Sequence, residues 1–362
     1  MAAYTASSSH SATTLEQELN QQGRPTFPET PAPAKQGLVK SLIVSCARKL
    51  HDWSFVFPAL VKSFRALQRI GINLTPNHFY WPVPDLAELE RRDWPTYSPP
   101  PGCAFDLRKQ VELAWELAAQ YGDEWRFSSD PHEHCYHYSN GYFEAVDAEV
   151  AYCMVRHFKP AQIVEIGTGY STRVLATALK KNAERDDLDG KLISVDPNPE
   201  RFSPNGWKDR VIQIAKPVQD VDVKFFDRLR RGDILFIDSS HVVGVGTDVV
   251  REYLEILPRL QSGVIVHFHD IFLPSDYPRE AVLNRLWFWS EQYLLQAFLT
   301  FNSQFEVLWA SSAMHLEHPL VLEHCFPRWR NSYLEMPELK RRFVPTLDNK
   351  HVWPSSFWMR RL

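Results

Sequence analysis

Four short apolar runs between residues 162 and 270 each end at, or close to, an acidic or histidine residue. These residues are Glu165, Asp196, Asp238 and the pair His269 and Asp270. Segments with helical periodicity alternate with the runs, and this alternation predicts a parallel α/β sheet that is covered on both faces. Because ligands of such sheets bind beyond the carboxyl ends of the strands, we expect these side chains to meet in one cleft.

The composition argues against several classes of protein. The chain of 362 residues has 40 Lys and Arg against 44 Asp and Glu, whereas a dedicated nucleic-acid binder needs a basic face. Its 5 scattered cysteines favour a reducing compartment. No apolar run approaches the roughly 20 residues of a membrane span, and no signal peptide is visible. We expect a cytoplasmic protein that binds a small molecule but neither nucleic acid nor membrane, and whose aromatic content permits a homodimer without requiring one.

Composition and periodicity divide the chain into four regions. Residues 1–36, rich in Ser, Thr, Gln and Pro, cannot bury a core and are predicted to be disordered. Residues 37–139 are predicted to form a mostly α-helical extension, with loops, that covers the cleft. The α/β domain is expected over residues 140–320, with a long helix at 286–301. Residues 321–362 are expected to form a C-terminal extension.

A glycine-containing turn follows the first strand of the predicted sheet. Gly167 and Gly169 allow a ligand to approach the backbone, and the next helix presents its N–H groups at the same place. The third glycine of the dinucleotide fingerprint is missing, which disfavours an NAD-dependent oxidoreductase. Glu165, before the turn, favours a ligand with an amino group, and Asp196, after the second strand, can accept bonds from both hydroxyls of a ribose.

These segments resemble the motifs of a known family. Residues 164–169 (VEIGTG) and 194–196 (SVD) resemble motifs I and II of the class I S-adenosylmethionine (SAM)-dependent methyltransferases. Residues 233–241 and 263–270 resemble later motifs of a subgroup that includes metal-dependent macrolide-sugar O-methyltransferases and cephalosporin-hydroxylase-like proteins. The resemblance covers roughly residues 140–310. It implies a Rossmann-like sheet of seven strands with a reversed last strand, here preceded by the helical extension.

The resemblance also implies a cofactor site. Glu165, Gly167 and Gly169 would hold the methionine end of SAM, and Asp196 would hold its ribose. Ser171 stands where the family pattern expects a third glycine, and we include it in the predicted SAM site.

A metal centre is the second implication. In the resembling sugar methyltransferases, the residue at the place of Asp238 binds Mg²⁺ and the one at the place of His241 is the general base. Their Glu-Asp pair is replaced here by His269 and Asp270, and imidazole suits iron better than Mg²⁺. We therefore predict a Mg or Fe site of Asp238, His269 and Asp270, with His241 as catalytic base. A strand-end turn without metal stays open, as does direct contact with SAM or acceptor. His267 is predicted to be structural and to face away from His269.

Substrate contacts are predicted from aromatic residues outside these motifs. His78 and Tyr80 lie in an aromatic segment whose two prolines exclude regular structure, so it forms either a pocket wall or a loop pinned onto the core. Tyr142 lies just before a predicted helix, where it would cap the pocket or join the core.

The predicted function is SAM-dependent methyl transfer to a small polar acceptor, with a hydroxyl favoured, assisted by a metal and serving small-molecule or secondary metabolism. Two further alternatives stay open. One is an iron-dependent enzyme that uses SAM for non-methylating chemistry such as cyclisation. The other is a non-catalytic scaffold that keeps the methyltransferase fold.

Overall fold

The computed structural model describes residues 57–73, 75, 81–94, 102–103, 105–125, 127–131, 135–199 and 210–362. The predicted disordered tail and the predicted substrate contacts His78 and Tyr80 lie outside the described residues. The chain divides into two units, residues 1–76 and 77–362. In the first unit the structure describes one helix, α1 (Phe57–Gln68), as the helical periodicity predicts. None of the described helices is both long and apolar enough to cross a membrane.

Seven strands of the second unit form one mixed sheet in the order β3-β2-β1-β4-β5-β7-β6. Strands β1 to β5 pair in parallel, whereas β7 runs antiparallel to both β5 and β6. The predicted Rossmann-like sheet with a reversed strand is therefore confirmed. The strands are β1 (Gln162–Ile166), β2 (Lys191–Val195), β3 (Val211–Ile214), β4 (Ile234–Ile237), β5 (Ile265–Phe268), β6 (Phe305–Ala310) and β7 (Phe357–Arg361).

Helices cover both faces of this sheet. The α-helices of the second unit are α2 (Leu86–Arg91), α3 (Leu107–Tyr121), α4 (Asp147–Phe158), α5 (Tyr170–Asp186), α6 (Asp248–Arg251), α7 (Arg279–Arg285), α8 (Glu291–Leu299), α9 (Ser311–Glu317), α10 (Pro319–Cys325), α11 (Ser332–Glu335) and α12 (Glu338–Arg341). A π-helical turn (Glu252–Ile256) continues α6, and short 3-10 segments are Val218–Asp220, Val223–Arg228, Leu257–Arg259 and Pro327–Trp329.

Alternate residues of the central strands enter two hydrophobic cores, one on each face of the sheet. Ile163 and Phe236 belong to the core shared with α4 and α5, whereas Val164 and Leu235 belong to the opposite core. All four side chains are fully buried. A strand buried on both faces is apolar along its whole length, which explains why these runs read as strands of a parallel sheet.

The predicted long helix at 286–301 is wrong in its first part. Leu286 has φ +60° and ends α7 in the left-handed conformation, and α8 begins only at Glu291. The backbone N–H groups of Ser290 and Glu291 donate to the carbonyl oxygen of His241 at 2.9 and 3.1 Å. A contact distant in sequence therefore sets the start of α8, and no local pattern reveals it.

The predicted domain boundary at residue 320 is also wrong, because it would cut through the sheet. β7 (Phe357–Arg361) lies between β5 and β6, so residues 311–356 form an insertion between two neighbouring strands. The boundary at residue 140 fails for a similar reason. Helix α3 contributes the fully buried Ala114 and Leu117 to the core, and the buried Gln110 accepts a hydrogen bond from the N–H of Ala310 at 2.8 Å.

Candidate active site

The glycine turn lies at the carboxyl end of β1 and touches the end of β4. Gly167 has φ +90°, and its N–H donates to the carbonyl oxygen of Val195 at 3.0 Å. A Cβ atom on Gly167 would lie 2.0 Å from the carbonyl oxygen of Asp238, so only glycine fits this position. At Gly169 the nearest atom to a Cβ is the Ser171 Oγ at 4.0 Å, which leaves open space beside the turn.

Glu165 and Ser171 lie beneath this turn. Glu165 is fully buried, and its two carboxylate oxygens accept bonds from the Ser171 and Thr172 hydroxyls at 2.8 and 2.7 Å. Burial raises the pKa of Glu165 to about 8. In this arrangement the carboxyl group holds the first turn of α5 against β1. The predicted contacts of Glu165 and Ser171 with SAM stay predictions.

Asp196 lies at the carboxyl end of β2 and is half-buried beside the turn. One carboxylate oxygen accepts from the N–H of Thr168 at 2.9 Å, and the other accepts from the N–H of Asn198 at 2.6 Å. The two bonds fix the carboxylate at the same edge of the sheet as Gly167 and Gly169. Asp196 and the glycine turn therefore lie close together, as the sequence analysis expects.

An acidic cluster built around one imidazole occupies the ends of β4 and β5. The His241 Nε2 lies 3.4 Å from an oxygen of Asp238 and 3.4 Å from an oxygen of Asp270. One ligand atom from each of these three residues lies within 4.8 Å of the others, a spacing that could hold a metal ion. The sequence analysis assigns the imidazole of the metal site to His269 instead.

A buried carboxylate orients the imidazole of His241 from the opposite side. Glu291, at the start of α8, lies 2.9 Å from the His241 Nδ1 and accepts from the Tyr253 hydroxyl at 3.2 Å. Burial lowers the pKa of His241, but its bonds to Asp238 and Glu291 outweigh burial and hold that pKa well above its usual value. His241 itself has φ +62°, a conformation that an imidazole residue adopts at some cost.

His269 lies beside the same cluster and against Asp147. Its Nδ1 is 3.6 Å from an oxygen of Asp238 and 3.7 Å from an oxygen of Asp270, and its Nε2 is 3.6 Å from an oxygen of Asp147. Asp147 is held in turn by the Ser311 hydroxyl and by the N–H groups of Ser355 and Ser356, at 2.7, 2.8 and 3.0 Å. His269 thus has one ring nitrogen near the acidic cluster and the other near a fixed carboxylate.

The predicted orientation of His267 is wrong, although a structural role fits its surroundings. The rings of His267 and His269 are 6.2 Å apart and nearly parallel, because residues two positions apart in a strand face the same side. His267 is fully buried, stacks on Phe236 at 3.8 Å and bonds to the Ser356 hydroxyl at 2.9 Å.

A cavity of about 220 Å³ opens onto His269 and Asp270. Its wall includes five aromatic side chains, namely Tyr142, Trp287, Trp289, Phe343 and Trp353. The structure therefore places the predicted substrate residue Tyr142 on the cavity wall. The ring of Tyr142 stacks between Tyr170, the first residue of α5, and Phe343 of the insertion, with ring centres 6.0 Å apart in both pairs.

Sequence analysis missed Asp147, Glu291 and the tryptophan wall of the cavity. Asp147 and Glu291 received no role, although Glu291 is an isolated acid within an apolar, aromatic stretch, which is a usable signal. The tryptophans at 287 and 289 are assigned to a helix, although they lie in the loop before α8, and Trp353 lies in the segment taken for a C-terminal extension. No local pattern indicates that these three tryptophans share one cavity.

A family model and one sequence relative match parts of this chain. Residues 164–271 match the family model described as a methyltransferase domain. An uncharacterized protein of Archaeoglobus fulgidus is 29% identical over 199 residues, which are 50% of this chain and 89% of that protein.

Two solved structures match more weakly. CmcI with SAH is 14% identical, with a TM-score of 0.27, over 35% of this chain and 61% of that chain. The apo structure of CalS11, a TDP-rhamnose 3'-O-methyltransferase of calicheamicin biosynthesis, is 12% identical, with a TM-score of 0.31, over 71% of this chain and 95% of that chain. These two likenesses carry no argument about the site. The match to a methyltransferase domain thus covers residues 164–271, which run from within β1 to just beyond β5 of the seven-stranded sheet.

Proposed function

We propose that this protein transfers the methyl group of SAM to a hydroxyl group of a small acceptor. One observation carries the proposal, the direct contact between the glycine turn and Asp238. Because the turn packs on the backbone of Asp238, a SAM bound there would lie next to the acidic cluster and to the cavity beyond it. A methyl donor and an acceptor in neighbouring sites are what in-line transfer requires.

The acidic cluster suits a divalent cation. Two ligand atoms that are each about 2.1 Å from one ion, at a tetrahedral angle, lie about 3.4 Å apart, as the His241 Nε2 does from Asp238 and Asp270. Imidazole ligands of metals usually donate their second N–H to a carboxylate, and Glu291 supplies that partner. We therefore propose His241, rather than His269, as the third ligand beside Asp238 and Asp270. Such an ion would lower the pKa of the acceptor hydroxyl and orient it.

We assign the role of general base to His269. It lines the cavity, and its Nδ1 lies 3.6 and 3.7 Å from oxygens of Asp238 and Asp270, so an acceptor hydroxyl on the cavity side of the ion would lie within its reach. Asp147 faces the other ring nitrogen and can hold its proton, which leaves Nδ1 free to take one. The roles predicted for the two histidines are thus exchanged in this proposal.

The reaction then balances without a further reactant. The acceptor oxygen forms a bond to the methyl carbon, the bond from that carbon to the sulfonium sulfur breaks, and the proton of the hydroxyl passes to His269. S-adenosylhomocysteine (SAH) and the methyl ether are the products. SAM is already an electrophile, so the chain contributes orientation and exclusion of water.

SAH binding tests the cofactor site. We expect wild-type protein to bind SAH in isothermal titration calorimetry and Asp196→Asn to bind it about 10- to 100-fold more weakly, because a charged partner of the ribose hydroxyls is lost. The exposed Asp220 offers a matched control, and Asp220→Asn should bind like wild type. If wild-type protein shows no binding of SAH, the methyltransferase proposal fails and a scaffold role takes its place.

The exchange of the two histidine roles has its own test. We expect Mn²⁺ to raise the thermal midpoint of His269→Gln as it does for wild type, and to leave that of His241→Gln unchanged. With a compound that the wild-type protein methylates, His269→Gln should lower kcat by about 10²- to 10⁴-fold without weakening SAH binding. The opposite pattern, with the cation response lost in His269→Gln and kept in His241→Gln, would restore the ligand set predicted from the sequence.

A further inference from the structure

The cavity next to the acidic cluster is polar at one end and apolar elsewhere. Asp147, His269, Asp270 and Ser355 line its polar end. The facing wall consists of aromatic and aliphatic side chains from the loop before α8 and from the insertion between β6 and β7. The aliphatic ones are Val344, Pro345 and Val352.

Different contacts hold the aromatic side chains of the cavity wall in position. Trp287 and Trp289 stack on each other with ring centres 4.2 Å apart, and Trp289 also packs 4.7 Å from the ring of His241. Trp353 is held by a bond from its indole N–H to the Ser312 hydroxyl at 2.9 Å. These contacts hold flat surfaces in place before any ligand binds, which favours a flat and rigid occupant.

The size of the cavity limits that occupant. A dry protein cavity of about 150 Å³ holds benzene. The volume of about 220 Å³ therefore admits one six-membered ring with a few small substituents. The part of a larger acceptor that exceeds this volume would lie outside the cavity, which is open on one side.

Two carboxylates that line the cavity already accept bonds from the protein, which disfavours a sugar. Both oxygens of Glu144 accept backbone N–H bonds, from Gly141 at 2.6 Å and from Ser139 at 3.0 Å. Asp147 already accepts three bonds, as described above. A sugar would bury several hydroxyls against this wall without partners, and each unpaired hydroxyl costs free energy.

We infer that the acceptor is a single aromatic ring with a hydroxyl group, a phenol or a benzenediol. The ring would lie against Trp287, Phe343 and Trp353, and its hydroxyl would point to His269 and Asp270 at the polar end of the cavity. The transfer breaks the aryl O–H bond, gives the proton to His269 and forms an aryl methyl ether with SAH as the other product. This inference rests on the proposed function and adds the substrate class.

Tryptophan fluorescence provides a test that does not depend on turnover. We expect catechol and phenol to quench the fluorescence of wild-type protein saturably, with and without SAH, and methyl glucoside to leave it unchanged. Trp287→Leu and Phe343→Leu should weaken catechol binding by about three- to tenfold, because a ring-on-ring contact is lost. Methyl transfer from labelled SAM should follow the same order of compounds.

Trp115→Leu is the matched control. Trp115 is 44% exposed on α3 and lines no part of this cavity, so catechol should bind this variant as it binds wild type. Binding and methylation of methyl glucoside with no response to catechol or phenol would overturn the inference while keeping the proposed function. Equal catechol affinity in wild type, Trp287→Leu and Phe343→Leu would also overturn it. Failure of SAH to bind would instead count against the proposed function. The quenching assay also runs without SAH, so it tests the acceptor class separately.

Discussion

Gly167→Ala is expected to lower the free energy of unfolding by about 3 to 5 kcal/mol. Alanine at φ +90° is strained, and its Cβ would lie 2.0 Å from the carbonyl oxygen of Asp238, so the ends of β1 and β4 would have to separate. The loss is a large part of the 5 to 15 kcal/mol that stabilises a typical domain. Urea denaturation followed by tryptophan fluorescence measures it.

Gly169→Ala is the matched partner of this variant. Its φ is −164°, which any residue adopts, and its Cβ would have no atom nearer than 4.0 Å. We expect it to unfold at the same urea concentration as wild type within error, but to bind SAH at least about tenfold more weakly, because the added methyl group occupies space that a ligand needs. A Gly167→Ala protein as stable as wild type would mean that the turn does not pack on Asp238 as described.

Removal of the charges at Asp238 and Asp270 is expected to abolish stabilisation by a divalent cation. In wild-type protein, Mn²⁺ at 100 times its dissociation constant should add about 2.7 kcal/mol to the free energy of unfolding. Asp238→Asn and Asp270→Asn should each lose most of this gain, because an amide oxygen is a much weaker ligand than a carboxylate. Urea denaturation with Mn²⁺, Mg²⁺ or Fe²⁺, and with chelator, measures the effect and ranks the ions.

An exposed carboxylate provides the control for this experiment. Asp227 pairs with Arg259 on the surface, with both side chains 41% exposed, so Asp227→Asn should keep the full response to Mn²⁺. If wild-type protein gains no stability from any of the three cations, the metal centre is wrong. His241 would then serve as a positive charge between carboxylates rather than as a ligand.

The sequence is sufficient for the parallel part of the sheet and for the edge at which the candidate site lies. An apolar run such as ILFI can be stable only when covered on both faces, and parallel strands bring their carboxyl ends to one edge. Asp196, Asp238 and Asp270 could therefore be assigned to one edge of the sheet without a structure, whereas Glu165 lies fully buried beneath the turn. The turn at Gly167 could also be identified from the sequence, since glycine at this place already indicates an unusual backbone conformation.

The roles of the two histidines could not be derived in the same way. His241 and His269 both lie at strand ends, and their types and spacings fit either a ligand or a base. What separates them is a set of contacts from distant parts of the chain, Glu291 of α8 against His241 and Asp147 of α4 against His269. Side-chain contacts across elements leave no periodic trace in a sequence.

The parallel strands β1 to β5, the glycine turn and the acidic edge follow from the sequence by itself, because each depends on local residue types and on the burial of continuous apolar runs. The aromatic cavity was decided only by the tertiary structure. Its wall joins the loop before α8 to an insertion that ends in β7, and β7 returns to the middle of the sheet. Which distant segments meet depends on the packing of the whole domain, so the aromatic wall and the acceptor that we infer from it became visible only in the folded chain.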